Sequence, residues 1–123
     1  MATTIPFTLI TPLKVAFRGD AELVITTTTE GEEGFLPKHA PFLAALKPGV
    51  LRANVIVDGK MERLELATRG GFIQALPDGV TVLADEALAF DDVDVAACRV
   101  ELAQATDPLV AEFAAAKLRL TGH

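Results

Sequence analysis

The chain has 123 residues, half of them apolar and 23% charged, with a net charge of −6 and pI near 4.8. One globular domain with a small appendage fits that length, and the apolar half can build a core without staples. The acidic balance excludes a phosphate-neutralising nucleic-acid surface and direct binding to anionic lipid, because no basic stripe is present.

From the amino end, "MATTIPFTLITPLKVAF" carries neither a charged n-region nor an Arg-rich amphipathic pattern, so no targeting segment is expected. Next, "LKVAFRGDAELVI" alternates Leu13, Val15 and Phe17 with Lys14 and Arg18, the period of a half-buried strand. Gly19-Asp20 reads as a tight turn before Ala21, Leu23 and Ile25 resume the apolar face. "GEEGFLPKHAPFLAALKPGVL" follows at residues 31–51, with Pro37, Pro41 and Pro48 inside it. Each interior proline removes a donor and clashes with the preceding turn, so this is a stiff loop and not a helix. Its tip offers Glu32, Lys38 and His39, and the apolar run Phe42 to Leu46 is expected to anchor it, with Phe42 and Leu46 as the ends of the anchor.

"LRANVIVDGKMERLELA" places Leu51, Ala53, Val55 and Val57 on one face, then Leu64 and Leu66 after Asp58-Gly59. Asp-Gly between alternating runs predicts a hairpin with a primed turn, since both central residues need positive φ. Asp78-Gly79 joins "FIQAL" to "VTVLA" in the same manner. Short strands at regular turns predict an antiparallel sandwich or barrel over residues 1–85.

Residues 86–123 change texture. "DDVDVAACRVELAQA" has no Gly or Pro; Asp91 or Asp92 can cap its first turn, and Asp94 suits the positive end of the dipole. A second helix starts at Asp107-Pro108, with Leu109, Phe113, Ala116 and Leu120 as its predicted stripe. The two form an αα-hairpin, so the predicted fold is mainly β with α.

Motifs for catalysis are absent from the sequence: no GxSxG, P-loop, HExxH or GxGxxG occurs. His39 has Glu32 and Glu33 as its nearest candidate metal partners, too few for a site, and the other histidine is His123 at the chain end. Cys98, the lone cysteine, suits a reducing compartment and reads as a small core residue in a helix. The residues therefore predict a binding or structural module with no catalytic residue, no metal and no cofactor.

"GEEGFLPKHAPFLAALKPGVLRA", "RGGFIQALPDGVTVLAD" and the two-helix tail together resemble the ε subunit of bacterial F1Fo ATP synthase, called δ in mitochondria. The resemblance spans essentially the whole chain. It implies an antiparallel sandwich of about ten strands followed by a helical hairpin. It also implies a non-catalytic rotor subunit that binds γ on one side and rests on the c-ring, with the β subunits as a further contact of the C-terminal helices. The location implied is the cytoplasmic face of the bacterial inner membrane, reached through partners. Within that family, positions matching Glu32 and His39 approach the polar c-ring loop, with Lys38 between them. Three positions depart from the family pattern: Lys38 replaces a glycine, Arg69 replaces a serine, and Ala97 stands where an ATP-binding motif has arginine. Two other readings compete with this one: a freestanding small-ligand or carbohydrate-binding sandwich, and an enzyme built on His39 with Glu32 or Glu33. The absence of Trp and Tyr weakens the first, and the lack of a nucleophile weakens the second.

Overall fold

The computed structural model describes residues 4–122. Seven strands are followed by two helices: β1 (Ile5–Ile10), β2 (Val15–Thr28), β3 (Gly31–Phe35), β4 (Phe42–Ala45), β5 (Gly49–Val57), β6 (Lys60–Leu76), β7 (Gly79–Leu88), α1 (Val95–Gln104) and α2 (Pro108–Leu120). The sheet runs β1-β7-β6-β5-β2-β3, and β1 also pairs with β2, so it closes on itself as a flattened sandwich. β4 pairs with the far half of β6. All pairs are antiparallel except β1 with β7, the first and last strands of the sandwich. The five intervening strands supply the long connection that a parallel pair requires.

The longest strands, β2 with 14 residues and β6 with 17, run through corners that bend them without ending them. Gly19-Asp20 is not a turn: β2 runs through it, with Gly19 opposite Phe7 and Asp20 opposite Pro6. The register instead slips between Ala21 and Leu23, a bulge that moves the buried face of β2 from Ala21 to Val24, Thr26 and Thr28. Leu23 and Ile25 are therefore only half-buried. The expected face upstream also shifts, for Leu13 is 94% exposed and Val15 47%.

Asp58-Gly59 forms the predicted primed turn, with φ of 51° and 78° between the paired Val57 and Lys60. The second hairpin is present, but its corner is Pro77-Asp78 between the paired Leu76 and Gly79. Proline fixes φ near −65°, so that corner cannot be primed. At Gly70-Gly71, φ is 54° and 108°, and β6 passes there from its pairing with β5 to its pairing with β4. A Cβ on Gly71 would lie 1.9 Å from the Leu83 carbonyl oxygen, so only glycine fits.

The core lies between the layers: Ile5, Phe7 and Leu9 of β1 meet Leu51, Ala53 and Val55 of β5, Ile73 and Ala75 of β6, and Val80 and Val82 of β7. β7 continues to Leu88, three residues past the predicted end of the strand region at Asp85.

Asp94 itself caps α1, accepting from the Ala97 N–H at 3.1 Å, while Asp92 holds the Ala89 N–H at 3.2 Å just upstream. Asp107 caps α2 through the Leu109 N–H at 2.9 Å, with Pro108 at the first position. The buried stripe of α2 is rotated from the prediction: Phe113 and Ala116 are buried with Ala114, Lys117 and Leu118, whereas Leu109 is exposed and Leu120 half-buried. The sandwich outvotes helix periodicity here, because α2 packs on β5 and β6 as well as on α1. Ala67 on β6 shows the result. It is fully buried yet lies outside the sandwich core, on the outer face beside its cross-strand partner Val50. Cys98 is buried in the same helical layer. The predicted chain-end histidine, His123, lies outside the described residues.

Candidate functional site

The segment read as one loop is two short strands and a six-residue connection, 36–41. Glu32 sits within β3, opposite Thr27 of β2. Arg52 of β5 lies opposite Ile25 of the same strand, so Thr27, Ile25, Glu32 and Arg52 share the outer face. The Arg52 guanidinium donates from Nη2 to Glu32 Oε1. Sequence reasoning missed this partner, since the two residues are twenty apart and only the β3-β2-β5 order brings them together.

Lys38 has φ of 65°, the left-handed conformation that the family's glycine would take freely. Lysine therefore bears backbone strain there, and its side chain is exposed. His39, expected at the tip of the connection, is half-buried. Its backbone N–H donates to the Leu36 carbonyl at 3.3 Å, and its Nδ1 bonds the Ala40 carbonyl at 2.9 Å. The imidazole meets the inward-pointing Phe35 edge-on, centroids 5.5 Å apart, and Nε2 is buried without a partner. The ring therefore braces the connection from beneath, while Glu32 and Lys38 are its charged outer surface. Phe42 packs on Phe35 at 5.4 Å and is half-buried. Leu46 is buried, and its N–H donates to the Gly71 carbonyl at 2.9 Å, so both ends of the apolar run are fastened. Leu43 between them points outward at 71% exposure.

Leu43 belongs to a larger feature. On the outer face of β4, β6, β7 and β1, cross-strand pairing sets Ala45 beside Phe72, Phe72 beside Leu83 and Leu83 beside Ile10. Phe72 is 57% exposed and Leu83 50%. Next to this row, Ile10, Pro12, Phe72 and Leu83 line a shallow apolar groove of about 370 Å³. The signal was in the sequence: Phe72-Ile73 and Val82-Leu83 are apolar at consecutive positions, so both faces of those strands are apolar.

Among the described residues, no group of three or more His, Cys, Asp or Glu is placed to hold a metal ion. No helix among the described residues is long and apolar enough to cross a membrane. Arg69 forms an ion pair with its cross-strand partner Glu86 at 3.4 Å. Both side chains are about half exposed, and such pairs contribute about 0–1 kcal/mol.

The family model for the ATP synthase delta/epsilon chain β-sandwich domain matches residues 4–90, which ends just past β7. The ATP synthase epsilon chain of Maricaulis maris is 36% identical over 111 residues, covering 90% of this chain and 80% of that one. That of Hyphomonas neptunium is 39% identical over 102 residues, covering 83% and 73%. Among solved structures, a chain of the Euglena gracilis mitochondrial ATP synthase has a similar fold, with a TM-score of 0.66 at 21% identity over 97% of this chain and 78% of that one. A chain of the Tetrahymena thermophila mitochondrial ATP synthase central stalk and c-ring gives 0.61 at 20% identity, covering 98% and 95%. Glycine-bent sandwich, braced proline connection and docked helical pair thus sit on a chain that belongs to the ATP synthase delta/epsilon chain family.

Proposed function

We propose that this chain is the non-catalytic central-stalk subunit of a rotary ATP synthase, joining γ to the membrane c-ring. The observation that carries the reading is the apolar row Ile10, Leu83, Phe72 and Ala45, flanked by Leu43, on an outer face that α2 leaves bare. Contiguous exposed apolar surface marks a partner site, and an aromatic among aliphatics is the usual anchor. The occupant proposed for it is γ, because family membership supplies a rotor partner and α2 already covers the apolar β5–β6 part of the other outer face.

The c-ring contact is proposed at the Glu32–Arg52 pair and Lys38, with His39, Phe42 and Leu46 holding them from behind. Glu32 is offered as one half of an ion pair and not as a lone carboxylate, so a cationic c-ring loop must share it with Arg52. As part of such a complex the chain is peripheral to the membrane; the cytoplasmic face of a bacterial inner membrane is the side proposed, in keeping with its bacterial relatives.

Co-purification with a γ subunit tests the first half, and failure to associate would leave a freestanding sandwich as the better reading. The second half is tested by Glu32→Lys with Lys38→Glu in reconstituted vesicles. ATP-driven pumping should fall relative to hydrolysis, and unaltered pumping would remove these residues from the contact.

A further inference from the structure

We propose that Arg52 and Arg119 form a binding site for a small tetrahedral oxyanion, inorganic phosphate, assembled only while α2 is docked on the sandwich. A pocket of about 320 Å³ is lined by Thr27 of β2, Glu32 of β3, Val50 and Arg52 of β5, and Arg119 from the last turn of α2. Two arginines and one glutamate line it, a local excess of one positive charge on a chain whose net charge is −6.

The donors are only partly used. Arg52 gives a single Nη2 bond to Glu32, and a guanidinium carries five N–H donors in a planar fork. Arg119 is exposed and takes no part in the ion pairs found among the described residues. A planar fork on each side suits an oxyanion, which can accept two parallel bonds from each. Glu32 then acts as a positioning residue, holding Arg52 toward the pocket. Thr27 supplies a hydroxyl that donates or accepts as needed.

The donor set selects the ligand class: two forked guanidiniums and a hydroxyl line the pocket, which suits a small tetrahedral oxyanion. Affinity should be modest, in the millimolar range. Arg119 lies at the negative end of the α2 dipole, and Glu32 competes for Arg52.

The site spans two parts of the chain, so occupancy and docking are linked. Only the docked form presents both arginines, and an anion that binds it alone favours docking by about twofold when its concentration equals its Kd. Phosphate would thereby hold the tail against the sandwich.

The test is an NMR titration of the full chain with inorganic phosphate, ionic strength held constant with chloride. The Nε–H resonances of Arg52 and Arg119 and the Thr27 amide should shift saturably. Arg119→Ala should weaken binding about tenfold, and Arg119→Lys should fall between, keeping charge but losing the fork. Shifts that chloride reproduces, or saturation unchanged in Arg119→Ala, would overturn the proposal. ATP moving the same resonances at lower concentration would overturn it as well, by making the site a nucleotide site. The titration uses the free chain, where no c-ring shares the Glu32–Arg52 pair, and binding of γ should be the same in Arg119→Ala, which keeps this result separate from the stalk assignment.

Discussion

On the outer face of β5 and β6, Val50 and Ala67 lie beneath α2, whereas on the outer face of β6 and β7, Phe72 and Leu83 are half exposed. Both faces are apolar where they should be polar in a free-standing sandwich. One β-strand, β6, contributes to both, turning at Gly70-Gly71 from the covered face to the bare one. The difference teaches that the chain satisfies one apolar surface with its own tail and leaves the other for a partner. Ion pairs secure the covered side: Lys47 to Glu112 at 3.5 Å ties α2 to the loop after β4. Lys117, itself buried, reaches Glu101 of α1 at 3.3 Å and lies 4.6 Å from the Phe113 ring centre.

The most damaging change should be at the turn between the two faces. Gly71→Ala forces a Cβ into the Leu83 carbonyl at a φ of 108° that alanine avoids. Loss of at least about 3 kcal/mol, read from denaturant unfolding, is expected. A loss below about 1 kcal/mol would mean that β6 has another way to bend.

Removing the cover should matter less. Deletion of residues 106–123 uncovers Val50 and Ala67, at a cost of about 1–2 kcal/mol to the sandwich, which should still unfold cooperatively. With Lys117 already engaged by Glu101, the docked α2 offers an acidic partner Arg119 alone, a single charge that salt largely screens. ATP hydrolysis in the assembled enzyme should therefore change by less than about twofold on the same deletion, equivalent to about 0.4 kcal/mol of barrier. Severalfold activation would place the tail among inhibitory ones.

A smaller effect with the opposite sign is expected at the tip. Lys38→Gly relieves a left-handed φ and should stabilise by about 0.5–1 kcal/mol, part of the gain being lost to the entropy of glycine. An unchanged or lower midpoint in thermal unfolding would show that the lysine side chain compensates.

How much of this was legible in the sequence follows from the range of the forces involved. Turn and cap chemistry is local, and Asp58-Gly59, Asp107-Pro108 and the end of β6 at a hairpin were readable from a few residues. The bulge at Ala21/Leu23 was not, because it is fixed by pairing with β5 some thirty residues away and reverses the apparent apolar face. Gly19-Asp20 misled for the same reason. Strand pairing carries the chain through a sequence that would turn in isolation. At the site, Phe42, Leu46 and the strained Lys38 were legible, while the inward tilt of His39 depends on the Phe35 ring and Arg52 on strand order. The bare face was visible as doubled apolar positions, yet nothing local says which doubled positions a helix will cover.

The central claim, that the face around Phe72 and Leu83 is the γ surface, is tested most directly by calorimetric titration of γ with the wild-type chain and with Phe72→Asp. Phe72 is exposed in the free chain, so the substitution should leave its unfolding midpoint nearly unchanged. Binding should weaken by a factor of about thirty or more, the loss expected for an aromatic anchor of about 2 kcal/mol or greater. Wild-type affinity in a folded Phe72→Asp variant would contradict the account and move γ to another face.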